Sequence, residues 1–372
     1  MRCVTERRLA YLCLQATRQG QASFAHVHEI IAGLRKRGWQ VDLFEPSYAR
    51  SIADPPSVWK LVAFLRVQLR LICALRCTRY DALYVRHHPF DALSIRASKK
   101  LKIPLVVEVN GSYEDLYMAF PMMRPMRWIG NSIMRYGIRE ADVVITVTEP
   151  LVNWALQERG GQPVILISNG ANTDLFHPDA PGRLPGTIPT PYAIFFGALA
   201  PWQGIETLID TLHRSNWPPQ LHLLIVGKGK LRDKVEKATR QTNRIVYIDH
   251  VPYQQMPVVV RHSLCGLAPM HCIERNQTGV MPLKVFETLA CGVPVIVSDL
   301  PGMSDLVRRG NCGLVVPPNN PVALANAVRY LYEHPEVRAE MGKRGRELIV
   351  REHSWDSRAE ATHQILLQVL AK

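Results

Sequence analysis

Several things are missing from this chain of 372 residues, and each absence removes a class of protein. The eight cysteines, at 3, 13, 73, 77, 265, 272, 291 and 312, form no CxxC pair and stand beside no plausible set of histidines. That excludes a zinc site and a disulfide framework as organising features. Cys13 and Cys291 lie in apolar surroundings, where cysteine behaves as a small hydrophobe, and such usage fits a reducing compartment. No stretch reaches the roughly 18 uninterrupted apolar residues of a membrane span. The opening MRCVTERRLAYLCLQ has no apolar core of signal-peptide length. The expectation is a cytoplasmic protein. There is no short repeat, no low-complexity tract and no recognition helix or aromatic RNA-binding motif, so nucleic acid is not an expected partner.

Acid is scarce too. The chain has 32 Asp and Glu against 45 Lys and Arg, a net charge of +13. Residues 1–190 carry 24 basic and 16 acidic side chains, so the excess leans towards the N-terminal half. The partner expected from this is anionic: a nucleotide or a membrane surface. The apolar fraction of 47% is ample for packing, and the length suggests two domains.

Apolar runs of strand length alternate with helical stretches throughout. LAYLCL (9–14), WQVDLF (39–44), DALYVR (81–86), PLVVEV (104–109), ADVVITV (141–147) and PVILIS (163–168) occupy the first half. HPDAPGRLPGTIPTPY (177–192), with five prolines and two glycines, then reads as a linker. The alternation restarts with YAIFFG (192–197), LHLLIVG (221–227), IVYI (245–248), CGLAPM (265–270) and PVIVS (294–298). Such alternation predicts parallel sheets covered on both faces. The expected fold is α/β, with two doubly wound Rossmann-like domains facing across a cleft. Their expected bounds are 1–176 and 193–350, followed by a C-terminal segment, 351–372. Ligands bind in crevices at the carboxyl ends of such strands.

The stretch MPLKVFETLACGVPVIVSDLPG (281–302) puts Lys284 and Glu287 inside an apolar run. Pro282 suits a first helical turn and Gly292 suits the residue past the end, so 283–290 is a helix following a strand. Its N-terminus is an anion site. Lys284 and Glu287, three apart, share a face. The lysine can neutralise a phosphate, and the carboxylate can accept from a ribose diol.

With its neighbours, PLKVFETLACGVPVIVSDLPG resembles the signature of family-4 retaining glycosyltransferases of the GT-B type. SNGANTDLFHP (168–178), FFGALAPWQGIETLIDTL (195–212), LLIVGKGKLRDKVE (223–236) and REHSWDSRAEA (351–361) resemble further family segments, in the family's order. The resemblance implies an N-terminal acceptor-binding domain, a C-terminal nucleotide-sugar-binding domain and a terminal helix, 351–372, returning to the first domain. Glu287 matches the ribose-binding glutamate of a paired-glutamate motif. The first glutamate of that motif would fall at Gly279, which leaves the backbone of Val280, Met281, Pro282 and Leu283 to hold the sugar. The loop cations of the family are replaced by Ala198 and Gln203, so Lys284 becomes the leading diphosphate contact, ahead of Lys228 and Lys230. The resemblance also places Gly20, Gly197, Gly227 and Val251 at the donor, and Arg86, Asn110 and Gly111 at the acceptor. Asn110 stands where many members have a histidine. It cannot act as a base but can orient a hydroxyl. Asn110 and Lys284 are the catalytic candidates, and His26 and His28 read as packed or solvated.

The expected activity is retaining hexosyl transfer from a UDP- or GDP-sugar to an acceptor hydroxyl, on a lipid-linked saccharide or other cell-envelope polysaccharide precursor. No cofactor or metal is expected. The alternatives are a degenerate GT-B subunit that only binds a partner, motivated by the departures at 198, 203 and 279, or a GT-B epimerase or phosphorylase. Segments 56–80 and 116–140, rich in Lys/Arg and apolar residues with Trp59 and Trp128, read as basic helices of the kind that lie on anionic membranes. The protein is therefore expected to be peripheral on the inner membrane face.

Overall fold

The computed structural model describes residues 7–18, 21–51, 55–119 and 121–371. The chain forms two compact units. One comprises the chain through Ser168 together with Trp355 onward, and the other is Asn169–Ser354. The expected linker therefore does not divide the molecule: residues 177–192 belong to the second unit. Proline and glycine remove regular secondary structure there but not packing. Ile188 and Ala180 are buried, and Arg261 Nη2 donates to the Gly182 carbonyl at 3.1 Å.

The first unit holds β1 (Arg7–Cys13), β2 (Trp39–Phe44), β3 (Ala82–Arg86), β4 (Leu105–Val109), β5 (Val143–Thr146) and β6 (Val164–Leu166). The second holds β7 (Tyr192–Phe196), β8 (His222–Val226), β9 (Ile245–Ile248), β10 (Gly266–Ala268), β11 (Val295–Ser298) and β12 (Gly313–Val316). Both sheets are parallel, in the orders β2-β1-β3-β4-β5-β6 and β12-β11-β10-β7-β8-β9. Period-2 alternation builds a core on each face of the second sheet. Tyr192, Ile194 and Phe196 enter one cluster while Ala193 and Phe195 enter the other.

In each sheet the strand order reverses at one place, between β1 and β3 and between β7 and β10. Loops leaving the carboxyl ends on either side of such a reversal diverge to opposite faces and leave a crevice. In the second unit the chain beyond β10 leads to the helix Leu283–Ala290, and in the first the loop beyond β4 carries Asn110. The helix Trp355–Leu370 belongs to the first unit. Arg37 holds it there by donating to Asp356 Oδ1 at 2.9 Å and to Glu360 Oε2 at 2.5 Å.

β12 and the helices Met303–Gly310, Pro321–Glu333 and Pro335–Glu352 were not anticipated, because LVV is too short an apolar run to show a period.

Candidate active site

The helix Leu283–Ala290 presents Lys284 and Glu287 as expected, with Gly292 in the left-handed conformation just past its end (φ 72°). Lys284 Nζ donates to Gln203 Oε1 at 2.9 Å and lies 3.6 Å above the centre of the Phe195 ring. Desolvation lowers the Lys284 pKa to about 7, with Glu287 opposing the shift. Glu287 is only 7% exposed and accepts from the Tyr253 hydroxyl at 3.2 Å. Burial raises its pKa to about 7, against the pull of Tyr253 and Lys284. The site thus holds a cation and an anion that are both poorly solvated, and each is stabilised by a ligand that supplies its counterpart.

Gly197 and Gly227 close the carboxyl ends of β7 and β8. A Cβ on Gly227 would meet the Gly197 carbonyl oxygen at 1.9 Å, and one on Gly197 would press on Lys284 Nζ at 3.3 Å. Backbone therefore lies against backbone here, and the lysine lies against the first glycine. Val251, partly buried, packs on the core just before Tyr253. Gly279 has φ 86° and ψ 155°, a region that only glycine occupies readily. The loop accordingly takes a path that a glutamate would not follow.

The backbone of 280–283 does not offer four donors. The Val280 N–H donates to the Pro301 carbonyl at 2.9 Å, and Pro282 has no N–H. Met281 and Leu283 are left for a ligand. The loop is steadied by Asn169 Nδ2, which donates to the Met281 carbonyl at 2.7 Å. Lys228 is tied to Asp249 at 3.0 Å on the surface.

In the first unit the structure gathers Arg86 and Asn110 around a residue that sequence reasoning passed over, Glu108 in β4. Arg86 Nη1 donates to Glu108 Oε1 at 2.6 Å, and Asn110 Nδ2 to the same oxygen at 2.5 Å. The Tyr84 hydroxyl (2.5 Å) and His26 Nε2 (3.0 Å) meet Oε2. Burial alone would raise the Glu108 pKa, but His26 and Arg86 overrule it and hold the carboxyl well below the usual range. The readable signal was an acid inside PLVVEV, a strand buried along its whole length. His26 is packed rather than solvated, with its ring edge-on to Trp355 at 5.2 Å. Gly111 follows Asn110 in a bend, half-buried. Gly20 lies outside the described residues.

Among the described residues no group of three or more His, Cys, Asp or Glu could hold a metal, and no helix is long and apolar enough to cross a membrane. The second basic segment is not one helix. It divides into Tyr113–Ala119, a 3-10 stretch Pro121–Met126 and Arg127–Glu140. Its cations are largely spent inside the unit: Arg127 pairs with Glu114 and Arg135 with Glu158, each at 2.6 Å, and Arg139 Nε donates to the Glu158 carbonyl. The acids that pair with these cations, Glu114 and Glu158, come from outside the stretch.

Two parallel, doubly wound units with polar clusters at their strand ends define a two-domain Rossmann-like α/β architecture. The family profile described as Glycosyl transferases group 1 matches residues 188–348, and Glycosyltransferase Family 4 matches residues 24–175. The chain belongs to the family-4 glycosyltransferases of the GT-B type. It is 24% identical over 274 residues to the uncharacterized glycosyltransferase MJ1178 of Methanocaldococcus jannaschii, covering 73% of this chain and 70% of that one. In fold it is similar to the sucrose-phosphate synthase tll1590 of Thermosynechococcus elongatus (TM-score 0.78, 20% identity, covering 98% and 99% of the two chains). It is similar also to Anabaena Alr3699/HepE in complex with UDP-glucose (TM-score 0.73, 16% identity, covering 97% and 99%).

Proposed function

We propose that this glycosyltransferase moves a hexose, with retention, from a UDP- or GDP-sugar to a hydroxyl of a saccharide acceptor on a lipid or other cell-envelope precursor. The observation that carries the reading is the pair Lys284 and Glu287 on the helix that follows β10, beside the strand-order reversal. Lys284 and the helix N-terminus offset the diphosphate charge, and Glu287 takes the ribose diol. The UDP-glucose bound by a protein of the same fold supports this donor class.

In the reaction, the bond from the anomeric carbon to the diphosphate oxygen breaks and its electron pair leaves with the diphosphate. The acceptor oxygen bonds the same face of that carbon. Its proton goes to the departing diphosphate, because Asn110 has no basic atom for it. Lys284, recharged by the diphosphate, stabilises the leaving group as charge builds on it.

For the acceptor side, the helix Ser57–Cys77 carries a stripe of exposed Val58, Leu61, Leu65 and Leu69, with Trp59 61% exposed and Arg66, Arg70 and Arg76 in water. That combination suits the surface of an anionic bilayer, so the protein is read as peripheral on the inner membrane face. The test of the function is thermal stability and calorimetry with UDP-, GDP- and ADP-sugars. A ligand at 100 times its Kd stabilises the folded state by about 2.7 kcal/mol. A clear shift with a UDP- or GDP-sugar is expected. Absence of binding to every donor would favour a subunit that keeps the fold and has lost the chemistry.

A further inference from the structure

Glu108 is 2% exposed and receives four side-chain donors from three places: Tyr84 and Arg86 on β3, His26 on the helix Ala22–Lys36, and Asn110 beyond β4. Burying an ionised carboxylate is costly unless it is fully paired, and here it is. An ionised carboxylate only accepts hydrogen bonds, so it dictates the orientation of everything it touches. An asparagine amide is nearly symmetric in shape and would otherwise turn either way. With Nδ2 committed to Glu108, the Asn110 Oδ1 must face away from it. Arg86 is fixed in the same manner, with Nε donating to Gln15 Oε1 at 3.0 Å while Nη1 holds Glu108.

We propose that Glu108 is a positioning residue for glycosyl transfer. It locks the Asn110 amide so that its oxygen, and not its NH2 group, meets the acceptor and receives a hydrogen bond from an acceptor hydroxyl. The inference rests on the reading of the first unit as the acceptor-binding half. It also narrows the acceptor. The attacking hydroxyl surrenders its proton to the diphosphate, so the hydroxyl that donates to Asn110 is a second one on the same molecule. The acceptor is therefore a polyol such as a sugar ring, not a simple alcohol.

Two substitutions separate orientation from bulk. In Glu108→Gln the new amide turns its oxygen to Arg86 and Asn110, which can only donate there, and its NH2 to Tyr84 and His26, which can accept. The lock survives. In Glu108→Met both acceptor oxygens are gone. The first readout is the side-chain amide of Asn110 by nitrogen-resolved NMR, assigned by its loss in Asn110→Ser. One proton shifted downfield and protected from exchange is expected in wild type and Glu108→Gln, and an ordinary, fast-exchanging pair in Glu108→Met. If Glu108→Met does not fold, Arg86→Met/Glu108→Met, which strands no buried charge, replaces it in this measurement.

The second readout is nucleotide release from UDP-glucose and GDP-mannose with methyl hexosides as acceptors. Glu108→Met should lose tenfold or more in kcat with the donor KM unchanged within twofold, and Glu108→Gln should stay within threefold. An unprotected Asn110 amide in wild type, or normal turnover in Glu108→Met, overturns the proposal. A wild type that itself neither binds nor turns over either donor instead sinks the functional reading, and the acceptor role of Glu108 with it.

Discussion

Lys284 reaches Gln203 rather than an acid: its Nζ donates to Oε1 at 2.9 Å, above the face of Phe195. Neutral partners leave the ammonium short of counter-charge, which the diphosphate of the proposed donor would supply. Lys284→Met should therefore weaken binding of the nucleotide sugar about 10- to 100-fold, as expected for one charge-assisted hydrogen bond worth roughly 1.5–3 kcal/mol. Lys228→Met and Lys230→Met should change it by less than about threefold, in keeping with exposed charges. Calorimetry on the three variants ranks them. A larger loss at Lys230 would move the diphosphate site to the turn after β8.

The two shifted groups also predict a change of sign with pH. At pH 8 the empty site has Lys284 largely neutral, since its pKa is lowered to about 7, while Glu287 is ionised. A diphosphate restores the ammonium, so binding should take up close to one proton. At pH 6 Lys284 is already charged and Glu287 is largely protonated. A ribose diol favours the ionised carboxylate, so binding should release a proton. Calorimetry in buffers of different ionisation enthalpy measures both. Lys284→Met should abolish the uptake and Glu287→Gln the release. No proton exchange at either pH would show that neither group meets the ligand.

Glu287→Ala should reduce donor affinity at pH 8 by more than tenfold while leaving the fold intact, because burial already penalises the charged carboxylate and Lys284 keeps its bond to Gln203. Unchanged affinity with a lower melting temperature would make Glu287 a structural residue.

Gly279→Glu puts back the acid that the family motif carries, yet it should be harmful here. The backbone at φ 86° and ψ 155° costs a residue with a Cβ about 1–3 kcal/mol, and the Val280 bond to Pro301 depends on that path. Lower stability and weaker donor binding are expected together. A gain in donor affinity would show that the loop can adopt a second path.

Membrane binding should depend on the helix Ser57–Cys77 and hardly on Arg127–Glu140. Each basic residue near an anionic bilayer contributes roughly 1 kcal/mol. Changing Arg66, Arg70 and Arg76 to Gln should therefore cut sedimentation with anionic vesicles strongly, and salt should do the same. Changing Arg135 and Arg139, which are engaged with Glu158, should cut it far less. Equal sedimentation of all three proteins, or none with wild type at low salt, would point to an acceptor in solution.

The positions of β1 to β11, the two-unit α/β architecture and the helix Leu283–Ala290 could be read from the chain, because buried parallel strands are short apolar runs and helix ends carry their own residue signals, whereas β12 was too short a run to show. The sequence determined that Lys284 and Glu287 lie on one helix face. It could not show that Lys284 meets Gln203, 81 positions away, or that Tyr253 backs Glu287. Nor could it show that Arg127, Arg135 and Arg139 are engaged by Glu114 and Glu158. Glu108 marks the boundary most clearly. Its place in a buried strand was written in PLVVEV, but whether a buried acid is a defect or a hub depends on donors brought from residues 26, 84, 86 and 110. Local spacing decides which way a side chain points along its own element. What it meets there, and hence its charge and its role, is decided by the packing of elements distant in sequence.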